Sequence, residues 1–207
     1  MITNGAAPGR PSSALSPHDS ALVARRHVLD LDDFSGAEIT EVLDTTAVMK
    51  GVLGRRVKKV PALQGKTVLN VFYEASTRTR VSFELAAKRL RADVVTLEMQ
   101  LSSRIEGESM LDTVYTLQSL HVDVMVIRDS EAGVPQLVAA NVEPHVSVLS
   151  AGEAHVSHPT QGLLDALTVR QHKRRFEGLS IAIVGDIRHS RVARSSWARW
   201  RPGRRAA

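Results

Sequence analysis

The sequence predicts an α/β fold, a parallel β-sheet flanked by helices, followed by the start of a second α/β unit. Three observations lead there. Short aliphatic runs alternate with segments of helical period, as in Val68–Phe72, then residues 77–91, then Asp93–Leu97. Hydrophobic residues are 43% of the 207 but aromatics only 4%, so the core must come from Val, Leu, Ile and Ala, as in sheets covered on both faces. Polar and cationic residues fall just after the strands, where such sheets bind ligands. Strands alternating with helices imply right-handed βαβ connections and parallel pairing.

Taken in order, residues 1–24 read as a disordered leader, because 1–20 are rich in Pro, Ser, Ala and Gly with no period. They lack the continuous apolar core of a signal peptide, and a transit peptide would have only Arg10 for its basic character. Ser35 followed by Glu38 is a capping box, and Ile39, Val42, Leu43, Ala47 and Val48 form one helical stripe after it. A basic loop, Arg55 to Lys59, leads through Pro61–Gly65 to a strand at Lys66–Phe72. Helices over 77–91, 108–120, 131–140 and Thr160–His172 then alternate with strands at Asp93–Leu97, Val122–Ile127, Val146–Leu149 and Leu179–Val184. A turn at Gly185-Asp186 precedes a new helix near Arg191. The apolar stripe of that helix fails at residue 195, where both tryptophans, Pro202 and Gly203 crowd into a few basic residues. A frameshifted or prematurely ended translation explains this better than a functional basic tail, since the sheet is left unfinished.

Composition excludes several classes. With no cysteine there are no disulfides and no thiolate metal sites, which fits a reducing, cytoplasmic compartment. No apolar run reaches the ~20 residues needed to cross a bilayer, so no membrane partner is expected. The net charge of +5 suggests nucleic acid, but four of the 27 basic residues lie in 195–207. Without them 23 basic residues face 22 acidic ones, and no stacking aromatics accompany the cations. No nucleic-acid partner is expected.

The candidate chemistry lies at four places. Ser76, Thr77, Arg78 and Thr79 stand where a helix begins after a strand, so hydroxyls and a guanidinium join the outward N–H groups of its first turn. Arg80 cannot share a ligand with Arg78, since two residues along a helix is about 200° of rotation. An isolated string of this kind also suits a plain capped helix with solvated arginines, so the other sites decide. Arg128 closes the strand Val122–Ile127. His158-Pro159-Thr160-Gln161 opens a helix, with an imidazole and an amide as donors. Arg191 follows the Gly185-Asp186 turn. The set holds cations, hydroxyls and one imidazole but no nucleophile–base pair. It suits transfer of an acyl group carried on phosphate, with no metal or cofactor required.

Read in order, Tyr73–Glu84 (YEASTRTRVSFE), Ser102-Ser103 with Gly107-Glu108-Ser109, Val126-Ile127-Arg128, His158–Thr168 and Val184–Arg191 resemble the aspartate carbamoyltransferases. The resemblance runs from about residue 27 to 194. Thr160 and Ala75 disfavour the ornithine enzymes, which usually have Cys at the first position and Lys at the second. It implies a carbamoyl phosphate-binding domain over 25–159, a linking helix and incomplete aspartate-binding domain over 160–194, and an aberrant tail over 195–207. Ser76, Thr77, Arg78 and Thr79 would then bind the phosphate of carbamoyl phosphate. Thr79, Arg128, His158 and Gln161 would address the carbamoyl group, and Arg191 an aspartate carboxylate. Arg78, Thr79, Arg128 and His158 would be the catalytic set. The implied reaction gives N-carbamoyl-L-aspartate and phosphate for pyrimidine synthesis, in a homotrimer whose neighbouring subunit lends Ser102 and a loop lysine.

Three departures weigh against full activity. Glu106 stands where the family has that lysine, Asp129 where it has His, and Ala151-Gly152-Glu153-Ala154 where it has Ala-Gly-Asp-Gly. Each adds negative charge or removes a donor near an anionic ligand, and family members are longer than this chain. A second reading is therefore an inactive homologue serving as a structural or assembly subunit. In a chain restored to include the second domain, Glu106→Lys is expected to raise the turnover of carbamoyl phosphate and aspartate; full activity with Glu106 in place would refute the inactive-homologue reading.

Overall fold

The computed structural model describes residues 25–98 and 110–200. The leader 1–24, the loop with Ser102 and Glu106, and the tail 201–207 lie outside the described residues. Helix α1 (Gly36–Leu53) comes first, then β1 (Thr67–Phe72), α2 (Thr77–Arg89) and β2 (Asp93–Glu98). Next along the chain are α3 (Met110–Gln118), β3 (Val124–Asp129), α4 (Val134–Asn141), β4 (Ser147–Glu153), α5 (Pro159–Lys173) and α6 (Arg191–Trp200).

The strands form one sheet in the order β2-β1-β3-β4, every pair parallel as the alternation predicts. Strand period two then sorts the side chains. Leu69 and Val71 of β1 and Met125 and Ile127 of β3 pack with Val114, Leu117, Val134 and Val138 of α3 and α4. Val68, Phe72 and Val126 point the other way, toward Ala87 of α2. The segment before α1 shields the β4 edge: Val28 donates its N–H to Val148 O at 2.9 Å and accepts from Ser150 N–H at 2.8 Å.

Two expectations are corrected. Residues 179–184 form no strand; Val184 is 93% exposed, and the segment has no sheet neighbour among the described residues. A parallel strand draws its hydrogen bonds from its neighbours, so an apolar run without one stays irregular. On α1 the predicted stripe buries Leu43, but Val48 is 71% exposed because no described element covers that flank. Helix α6 continues to Trp200, across the point where the sequence suggests a tail begins.

The capping box of α1 forms as expected. Glu38 N–H donates to Ser35 Oγ at 3.2 Å, and Ser35 N–H donates to Glu38 Oε2 at 2.7 Å. Arg25 adds a bond from Nε to Glu38 Oε1 at 2.8 Å while stacking over Phe34. The Ser35 N–H bond, outweighing burial and helped by Arg25, pulls the Glu38 carboxyl down to about 2. Its contribution to stability is complete above the ordinary value of 4.5 and is lost as pH falls through about 2. Glu38→Gln should flatten the acid limb of the unfolding curve in that window. Ser35→Ala should cost about 1 kcal/mol at neutral pH, read by denaturant unfolding.

Candidate active site

From β1 the chain goes to β2 on one side and then returns to β3 on the other, so the sheet order reverses between β1 and β3. Connections diverge at such a switch point and leave a crevice beyond the carboxyl ends of the strands. There Phe72 pairs with Arg128, and Tyr73 N–H donates to Arg128 O at 2.9 Å. Arg128 lies two residues beyond Val126, so the pleat turns it to the same face as α2. Helix α2 starts at that end of the sheet. Its N-cap Ser76 has an extended backbone, its hydroxyl makes no capping bond, and no acid sits in the first turn. The positive end of the helix is therefore available to an anion.

A cavity of about 730 Å³ opens at this point, lined by Ser76, Arg78, Thr79, Arg128, His158, Gln161 and Arg191 among others. Seven of the nine residues singled out by sequence are thus gathered at one place. Thr77 is exposed and does not line the cavity, and Ser102 lies outside the described residues. Arg80 is also absent from the lining, in keeping with its rotation away from Arg78; the hydrogen bond and charge of Lys88, with a smaller contribution from Arg80, hold the Glu84 carboxyl below its ordinary range.

The centre of the cluster is Glu74, which in the sequence served only as a family marker. Arg191 grips its carboxylate with both terminal nitrogens, Nη1 to Oε2 at 2.8 Å and Nη2 to Oε1 at 2.6 Å. Arg128 Nη2 reaches Oε1 at 2.7 Å, and its Nη1 donates to Ala151 O at 3.0 Å. Burial would raise the Glu74 pKa, but the Arg191 hydrogen bonds and the Arg128 charge hold it below the ordinary carboxylate range. The missed signal was electrostatic: two arginines expected at one sheet end need a counter-ion, and Glu74 follows β1 at that end.

His158 is the N-cap of α5 and is 9% exposed. Burial first, then the charges of Arg128 and Arg191, lower its pKa to about 4, so the imidazole is neutral near pH 7. Thr160 Oγ1 lies 3.4 Å from Nδ1; if that hydroxyl donates, the ring hydrogen is left on Nε2. Gln161 lines the cavity, and its Nε2 donates one of its two N–H groups along the helix to Asp165 Oδ1 at 2.9 Å.

The two carboxylates expected to disturb a ligand are turned away from the cavity. Asp129 is fully buried and its Oδ1 accepts Glu131 N–H at 2.9 Å. Glu153, equally buried, accepts from Gly133 N–H at 2.8 Å and Gln136 Nε2 at 2.9 Å, at the positive end of α4.

Known proteins share this geometry. Residues 26–171 match the family model described as aspartate/ornithine carbamoyltransferase, carbamoyl-P binding domain. The chain belongs to the aspartate/ornithine carbamoyltransferase family. It is 58% identical over 180 residues to an aspartate carbamoyltransferase catalytic subunit of Roseiflexus castenholzii, covering 86% of this chain and 56% of that protein. The aspartate transcarbamoylase of Trypanosoma cruzi in complex with carbamoyl aspartate and phosphate superposes with a TM-score of 0.77 at 30% identity, over 84% of this chain and 56% of that one. The catalytic subunit of M. jannaschii aspartate transcarbamoylase gives 0.76 at 36% identity, over 85% and 56%. The chain thus spans little more than half the length of these carbamoyltransferases.

The Ala151–Ala154 segment carries left-handed backbone at two positions. Gly152 has φ +114°, and a Cβ there would lie 2.9 Å from Arg128 Nη1. Ala154 sits at φ +38°, and its carbonyl accepts Arg191 Nη1 at 2.9 Å. Left-handed backbone costs an L-residue about 1–2 kcal/mol, against about 0.5–1 for the extra freedom of unfolded glycine. Ala154→Gly should therefore stabilise the fold by about 0.5–1 kcal/mol in denaturant unfolding. Gly152→Ala should cost about 2 kcal/mol or more and loosen Arg128 from Glu74.

Proposed function

We propose that this chain carries the carbamoyl phosphate-binding half of an aspartate carbamoyltransferase. The observation that carries the reading is one cavity joining an anion-ready helix start to two arginines and a neutral imidazole. Ser76, Thr79 and Arg78 receive the phosphate, with Thr77 supplying a backbone N–H of the same turn. Arg128 and His158 donate to the carbamoyl oxygen, and the low pKa of His158 makes it a hydrogen-bond donor rather than a cation. The amine of L-aspartate bonds to the carbamoyl carbon as the carbon–oxygen bond to phosphate breaks, the amine proton leaves with the phosphate, and Arg191 holds an aspartate carboxylate. The bidentate grip of Arg191 on Glu74 supports that last role, since it is the geometry a substrate carboxylate would use.

The relatives' names support the substrates: solved structures of the Trypanosoma cruzi enzyme hold carbamoyl phosphate and aspartate, or carbamoyl aspartate and phosphate. We place the binding domain at 25–159 and the opening of the aspartate domain at 160–194. Trimeric assembly, with Ser102 lent by a neighbour, and a cytoplasmic site of pyrimidine synthesis belong to the same proposal. Among the described residues no helix is long and apolar enough to cross a membrane. The charge reversal at Glu106 favours a second reading, an inactive homologue kept for assembly.

Calorimetry separates the parts. The chain should bind both inorganic phosphate and carbamoyl phosphate, and Arg78→Ala should weaken each by roughly 10- to 100-fold, the size of a lost charged hydrogen bond. Undiminished binding in Arg78→Ala would remove the phosphate site from α2. NMR titration of the His158 ring should show a midpoint near 4. Because the unfolded ring takes up its proton nearer 6.5, stability should rise with pH between these values.

A further inference from the structure

Helix α6 brings a second group to the site besides Arg191. Ser195 lies one turn after Arg191, is 1% exposed, and accepts the backbone N–H of His158 on its Oγ at 2.8 Å. The His158 carbonyl in turn accepts Gln161 N–H at 3.0 Å and Gly162 N–H at 3.1 Å. The His158 peptide is therefore held on one side by α6 and on the other by α5. Gly162 permits the close approach: a Cβ there would lie 2.7 Å from Leu31 Cδ1 and 3.3 Å from Ser195 O. Without Ser195 the buried His158 N–H would lose its partner, and the residue would shift to find another.

We infer that Ser195 is a positioning residue, fixing His158 relative to Arg191 so that α6 sets both groups as one unit. The inference rests on the reading of His158 as donor to the carbamoyl group. A purely structural hydrogen bond between helices would affect melting alone. A positioning bond also affects the imidazole and the ligand group that the imidazole touches.

The experiment uses the whole 207-residue chain and three variants, each checked for a cooperative melt. Ser195→Ala should weaken carbamoyl phosphate binding roughly tenfold, the factor given by a lost hydrogen bond of about 1.4 kcal/mol. Inorganic phosphate, which needs only the α2 cradle, should bind as before. The His158 titration midpoint should rise from about 4 toward 6.5 as the ring gains water. Ser195→Cys, which nearly keeps the volume but accepts weakly, should follow Ala and serves if Ala does not fold; Ser195→Thr, which keeps the accepting hydroxyl, should keep the His158 midpoint while its added methyl lowers the melt. An unchanged His158 midpoint in folded Ser195→Ala or Ser195→Cys overturns the inference, as does an equal loss of both ligands. A wild-type chain that binds carbamoyl phosphate no better than phosphate overturns the role given to His158 instead, while the His158 titration still decides the tether.

Discussion

The site depends on one carboxylate placed between two guanidiniums. Arg128 is 8% exposed and Arg191 19%, so neither charge is well solvated, and each raises the cost of keeping the other. Glu74 offsets both, and its own pKa is held down by the pair. Removing one member of a fully buried ion pair costs about 3–5 kcal/mol; the 29% exposure of Glu74 makes the cost smaller here. The same arrangement sets the chemistry. Glu74 holds the two guanidiniums at one point beside the cavity and leaves the trio with a net positive charge. His158 responds to the same field, which helps to keep its proton off the ring without removing its power to donate.

Much of the fold was legible because pattern and topology agree. Aliphatic runs interrupted by helical stretches specify parallel strands, and strand-end logic then places Arg128, His158 and the Ser76–Arg78 turn together before any coordinate is known. What failed depended on neighbours. Leu179–Val184 has the composition of a strand but no strand beside it, and Val48 has the place of a core residue but nothing above it. Glu74 was hidden for a different reason. A lone acid after a strand carries no local signal, and its meaning comes from two arginines 54 and 117 residues further on.

The buried acids show why a change in charge is not by itself a change in function. Asp129 and Glu153 sit at the ends of β3 and β4, so the sequence invites the conclusion that they repel a phosphate. Their oxygens instead accept N–H groups of the β3–α4 turn and of α4 itself. The register of β3 against β4 slips between Ile127 and Asp129, directly beside the first of these buried acids. Orientation, which sequence does not encode locally, decides the sign of the effect.

On the proposed function, the groups of the site divide by where they originate. The hydroxyls and guanidinium for a phosphate come from α2, Arg128 from β3 and His158 from the start of α5, all within the segment matched by the family's carbamoyl-P binding domain. Arg191, the group suited to a second carboxylate, comes from α6, beyond that segment. One arginine can orient a carboxylate but cannot distinguish one amino acid from another, because selection needs contacts to the rest of the substrate. The described residues gather hydroxyls, guanidiniums and an imidazole around one cavity, and on the proposed function these groups would hold and polarise a carbamoyl donor. On the positioning role inferred for Ser195, the helix that presents Arg191 also holds the backbone N–H of His158.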